Sequence, residues 1–165
     1  MRRRKLLTAG LLLLLLPGAL AAKEWRTEAI SPTDRLYFKN QIAVVNDLAG
    51  RHFGRQINGQ RNNDIAVMQR LLDDNIVGPE DVRTLQAMGV VLGSLLQSQY
   101  NLKWVVYVDR LGRSRSLQVR DFERDVIFPT TQISRKAQVG LRVDVASVYA
   151  ELEQSIDDIR KRPPF

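Results

Sequence analysis

The hydrophobic period of this chain changes after Asn101, and that change limits what it can fold into. Before it, apolar residues recur every three to four positions. Phe38, Ile42, Val45, Ala49 and Phe53 form one stripe, and Val82, Leu85, Gly89, Leu92 and Leu96 form another. After it the period drops to two: Trp104, Val106 and Val108 alternate with Val105, Tyr107 and Asp109 in a run rich in β-branched and aromatic residues. A chain that is helical first, then extended, then helical again falls in the α+β class.

Local signals place the elements. Ser31-Pro32-Thr33-Asp34 offers a cap, a first-turn proline and an acid at the positive helix end, so a helix starts there and Gly54 can end it. GRQINGQRNN, residues 54–63, reads as a loop, after which Asn63 or Asp64 caps a second helix carrying Ile65, Met68, Leu71 and Leu72. Pro79, Glu80 and Asp81 open a third helix. Its Gly89 and Gly93 stand four apart, a spacing that lets a neighbour approach closely. Asp109 to Gly112 is a turn, Leu117 and Val119 alternate in the next strand, and Val126 to Phe128 form a third. The expectation is N-terminal helices, a three-stranded antiparallel meander, and a C-terminal helix packed on the sheet. That last helix carries Val145, Val148, Leu152, Ile156 and Ile159 and ends at Lys161-Arg162-Pro163-Pro164.

Residues 1–22 have the form of a cleavable export signal: MRRRK is a positive start, Leu6 to Leu16 an apolar run, and Ala19-Leu20-Ala21 an A-x-A site. The run is broken at Pro17 and is shorter than the roughly 20 residues that span a bilayer. No cysteine follows it, which excludes lipid attachment through a thiol. The expected destination is the periplasm, with residues 23–30 a flexible arm, residues 31–162 one domain and no transmembrane segment left after cleavage. Removing Arg2, Arg3, Arg4 and Lys5 lowers the net charge from +7 to +3, so the basic balance that would suggest nucleic acid belongs largely to the signal.

The residues that carry chemistry are few. His52 is the one histidine, and with no cysteine the usual zinc ligand sets are missing. No glycine-rich phosphate loop, calcium loop or nucleophile elbow is present, so no cofactor is expected. The neighbouring acids Asp73-Asp74, Glu80-Asp81 and Asp157-Asp158 diverge by about 100° on a helix and read as solvated charges. Arg110, Arg113, Arg115, Arg120 and Arg124 cluster along the hairpin, and Arg113 and Arg115 project from one face. They can meet an anionic partner or pair with the interleaved Asp109, Asp121, Glu123 and Asp125.

DVIFPTTQISRK, residues 125–136, is a corner: Pro129 ends a strand and Thr130 or Thr131 starts a short helix, their hydroxyls satisfying backbone donors. An anion can settle beside Thr131, Arg135 and Lys136 in the same geometry.

In order, LQAMGVVLGSLLQSQYNLKWVVYVDRLGRSRSLQVRD, VIFPTTQISRK and VDVASVYAEL resemble an uncharacterised bacterial family, the domain of unknown function numbered 3806. The resemblance runs from about Leu85 to Leu152 and implies the α+β fold; it carries no catalytic residues.

Together these features point to a non-enzymatic binding or interaction module of the cell envelope, meeting another envelope protein or an anionic envelope ligand. Trp104, Tyr107, Phe128, Arg113 and Arg115 are its expected contact surface, with Thr131 and Arg135 at the corner. The alternative is a hydrolase acting on an envelope component, which needs His52 or a carboxylate beside the hydroxyls of Thr130 to Ser134.

Overall fold

Ser31 and Asp34 set the first helix by satisfying each other. In a computed structural model that describes residues 25–122 and 124–163, the Ser31 hydroxyl accepts the Asp34 N–H at 3.1 Å, and the Asp34 carboxylate accepts the Ser31 N–H at 3.0 Å. Helix α1 (Pro32–Phe53) follows and ends on Gly54 at φ 61°, a left-handed position that favours glycine. The export signal expected over residues 1–22 lies outside the described residues.

Helix α2 (Arg61–Asp73) begins earlier than expected, with Gln60 rather than Asn63 or Asp64 at its cap. The reason lies in Asp64, whose fully buried carboxylate takes the Asn58 and Gly59 N–H groups at 2.9 Å each. An acid inside the helix satisfies the loop before it, so the loop can end sooner. Helix α3 (Val82–Tyr100) starts after Pro79 and Glu80, because Asp81 is its cap and accepts the Thr84 N–H at 3.1 Å. It is buried nearly all round and forms the centre of the molecule.

The sheet has four strands in the order β1-β2-β3-β4, all antiparallel, where three were expected. Strands β2 (Lys103–Asp109) and β3 (Gly112–Gln118) are joined by a tight turn in which the Asp109 carboxylate accepts the Leu111 N–H. The short β4 (Val126–Ile127) pairs with Leu117 and Gln118. The additional strand is β1 (Arg26–Ala29), from the segment expected to be a flexible arm. RTEA has no apolar alternation to announce it; backbone pairing to Val105–Val108 holds it, aided by Glu28, which binds Arg113 of β3 at 2.8 Å.

The corner after β4 is a 3-10 turn (Pro129–Thr131) leading into α4 (Gln132–Gln138). Its hydroxyls do not cap the helix as expected. The Gln132 N–H is taken by the Pro129 carbonyl, the Ser134 hydroxyl donates to the Thr131 carbonyl at 3.2 Å, and the buried Thr130 hydroxyl makes no hydrogen bond. A 3-10 turn closes its own backbone bonds, so side-chain caps are not needed. The corner is pressed onto α3 at the two glycines: a Cβ on Gly89 would stand 2.6 Å from the Thr130 carbonyl carbon, and one on Gly93 would enter the Trp104 ring.

Helix α5 (Val145–Lys161) opens on Asp144, which accepts the Ser147 N–H at 2.7 Å, and packs against α2, α4 and β4 with all five stripe residues buried. A polar cluster ties it to α3. The Tyr149 hydroxyl donates to Gln99 and the Tyr100 hydroxyl to Glu153, and Glu153 also binds Arg61 at 3.2 Å. Burial, reinforced by the Glu153 charge, pushes the Tyr149 phenol up to about 12 from 10.0. A pKa raised on folding gives stability that is complete below pH 10 and lost as the pH climbs through 12. Urea midpoints measured across that window are expected to fall by the equivalent of at most about 3 kcal/mol, and Tyr149→Phe should flatten the decline. An equally steep decline in the variant would assign it to other groups.

Among the described residues, no helix is long and apolar enough to cross a membrane.

Candidate functional site

The residues expected to form a contact surface are not gathered into one site. Trp104 is 6% exposed and stacks on Phe38 with ring centres 4.3 Å apart, so it belongs to the core. Tyr107, half-buried, lies on the opposite face of β2 and meets the edge of Phe128. Arg113 binds Glu28, and Arg115 binds Asp34 at 3.0 Å while covering the Tyr37 ring at 3.8 Å. Among these hairpin cations, Arg120 pairs with the interleaved acid Asp125, at 2.7 Å; Arg113 and Arg115 reach acids from earlier in the chain. Thr131 is part of the 3-10 turn, and Arg135 is exposed on α4.

The hydrolytic grouping does not form either. His52 sits exposed in the last turn of α1 beside Phe53, and among the described residues no hydrogen bond or ion pair joins it to Thr130, Thr131 or Ser134. Of the neighbouring acids, Asp73 and Asp74 take different partners, Gln69 and Arg70. Among the described residues no group of three or more His, Cys, Asp or Glu side chains is placed to hold a metal ion.

What the structure does form is an open cleft of about 450 Å³ between the α2–α3 connection and the α4–α5 connection. Its floor is apolar and buried: Val77, Leu85, Ala137 and Val143. One rim is the end of α2 with Asn75, held at φ 52°, and the other is Gly140-Leu141-Arg142, with Gly140 at φ 76°. Both rims are hydrogen-bonded turns. The Ile76 and Val77 N–H groups reach the Leu71 carbonyl, and the Leu141 N–H reaches the Lys136 carbonyl at 3.1 Å. Gln69 fixes the two sides to each other, donating to the Val143 carbonyl at 3.2 Å and accepting the Val145 N–H at 2.8 Å. The walls are therefore shaped before any ligand arrives, which lowers the ordering cost of binding.

Charge sits at the mouth. Asp73 and Arg142 face each other at 3.6 Å, and Arg142 is almost fully exposed. So loose a surface pair is worth little to stability and separates readily for a ligand. Asp144, which follows the lining residue Val143, is held under the usual carboxylate range by the Ser147 N–H it accepts at the start of α5. Leu141 is 58% exposed and Val139 72%. The arrangement suits a ligand with an apolar group for the floor and polar atoms for Asp73 and Arg142. The sequence did carry a signal for this place: DNIVGP and VGLRV put apolar residues inside turns, where solvent-exposed connections rarely need them.

Comparison with known proteins agrees with the fold. No curated protein matches the chain. A crystal structure from Bacteroides thetaiotaomicron VPI-5482 at 1.50 Å resolution is similar in fold, with a TM-score of 0.68 at 14% identity, over 79% of this chain. The chain spans about half of that protein, 48% of its length. The family described as Domain of unknown function (DUF3806) matches residues 64–149. The match begins well before Leu85, the start suggested by the sequence, and takes in nearly all of α2, whose Met68 and Leu71 are fully buried in the same core. Every residue lining the cleft lies inside that segment. With more than half of its 165 residues matched, the chain belongs to the DUF3806 family.

Proposed function

We propose that this protein is an exported binding module of the cell envelope and that its ligand site is the cleft between the α2–α3 and α4–α5 connections. The observation that carries the reading is the cleft itself: an apolar floor, prearranged walls and a charged mouth, all built from the segment that defines the family. Export rests on the first 22 residues, whose positive start, apolar run and A-x-A site have the order of a cleavable signal. The groups near the cleft bind rather than react: Asp73 is shared between Gln69 and Arg142, and Asp144 is committed to capping α5.

Two measurements test this. The intact mass of the chain recovered from a periplasmic fraction should correspond to a start at Ala22; full-length protein in the cytoplasm would end the export reading. A photo-crosslinking side chain placed at Leu141, at the cleft mouth, should capture an envelope component in cells, while the same group at Arg113 should not. Equal capture at both positions, or none at Leu141, would overturn the site assignment.

A further inference from the structure

Arg113 and Arg115 are spent on Glu28 and Asp34, and that spending exposes two other cations. Glu28 also holds Arg26 at 2.9 Å, and Asp34 is further occupied by Ser31. The acids of this corner are thereby neutralised. What remains is Arg35 in the first turn of α1 and Lys103 at the start of β2. Together with Gln97 of α3 and Gln118 of β3 they line an open cleft of about 510 Å³ beside the end of β1, which Glu28 also borders. Lys103 and Gln118 are direct partners across β2 and β3, so their side chains share a face.

The donors are available and partly fixed. The Arg35 guanidinium is anchored by one bond, from Nη1 to the Ile30 carbonyl at 3.1 Å, which leaves the rest of its fork open. Among the described residues, the Lys103 ammonium and the Gln97 and Gln118 carboxamides make no hydrogen bond or ion pair. Four donor-bearing side chains from four different elements thus border one concavity.

We propose that this cleft binds a phosphate group, free or carried on a lipid headgroup. Two cations match the charge of a phosphate, and donor side chains from four elements offer more hydrogen bonds than a carboxylate needs, since one arginine fork would satisfy it. The site is separate from the cleft proposed above and stands or falls independently of it.

The test uses the mature chain and inorganic phosphate, read by NMR of the Arg35 guanidinium and the Gln97 and Gln118 side-chain amides. Phosphate should shift these signals in a saturable way and acetate much less. Arg35→Gln and Lys103→Gln should each weaken binding about tenfold, as expected for loss of one charge-assisted contact. Arg55→Gln, which removes an exposed cation from the loop after α1, should leave binding unchanged, and melting curves of all three variants report whether they fold. Sedimentation with phosphatidylglycerol vesicles, against phosphatidylcholine, then separates the sources. Vesicle binding lost in the Arg35 and Lys103 variants assigns a headgroup, and phosphate binding without vesicle binding assigns a soluble ligand. No phosphate shift, equal response to acetate, or equal weakening by Arg55→Gln would overturn the proposal.

Discussion

Trp104→Ala is expected to destabilise the protein by about 3 to 5 kcal/mol, the range for removing a large aromatic side chain from a core. Trp104 fills the space between α1 and α3, stacking on Phe38 at 4.3 Å and lying over Gly93. Gly93, which it covers on α3, has no side chain that could move in to fill the void. Urea denaturation gives the answer directly: the midpoint should fall far while the slope holds. A small loss would mean that the neighbours collapse onto the cavity. This variant also separates two roles for the residue, because a contact-surface tryptophan would lose binding with stability intact.

Gly89→Ala should cost about 3 kcal/mol, at the upper end for overpacking, although alanine is the better helix former by about 1 kcal/mol. The obstacle is backbone: the new methyl would stand 2.6 Å from the Thr130 carbonyl carbon and 2.7 Å from the Pro129 oxygen. Neither atom belongs to a flexible side chain that can swing away. Gly50→Ala is the matched comparison, since a Cβ there meets only the Arg55 carbonyl oxygen at 3.9 Å, on the exposed side of the last turn of α1. That substitution should stabilise by about 0.5 to 1 kcal/mol. The two variants change the same atoms in the same type of element with opposite sign. If Gly89→Ala were as stable as the parent, the corner at Pro129 would have to be mobile rather than seated on α3.

Much of the architecture was legible because local chemistry and periodicity agreed. Ser31 and Asp34 announced a helix and formed its capping box; Gly54 ended it; Asp144 lies at the start of the last stripe, and all five of its apolar positions are buried. The packing role of Gly89 and Gly93 was readable from their spacing, although the backbone that needed the room was not. β1 was missed because strand pairing to a partner more than 75 residues away leaves no trace in the four residues RTEA. The early start of α2 was missed because Asp64 acts backward on the loop, a use of an acid that a forward search for caps overlooks.

The candidate site was less legible for the same reason. Arginines at alternating positions of a strand do share a face, as Arg113 and Arg115 do, but spacing says nothing about the acid that waits opposite. Glu28 and Asp34 answer them from elements formed long before the hairpin in the chain. Trp104 opens a strand, and its place in the core follows from α1 and α3 closing over that end of the sheet.

The sequence by itself determined the class of fold and the order of its longer helices and of strands β2 to β4, because each depends on residues close together in the chain. Only the tertiary structure decided which charges are spent and which are left, and where a cleft opens. Those properties belong to side chains and turns brought together from distant segments: Asp73 with Arg142, Gln69 with Val143, and Arg35 with Lys103.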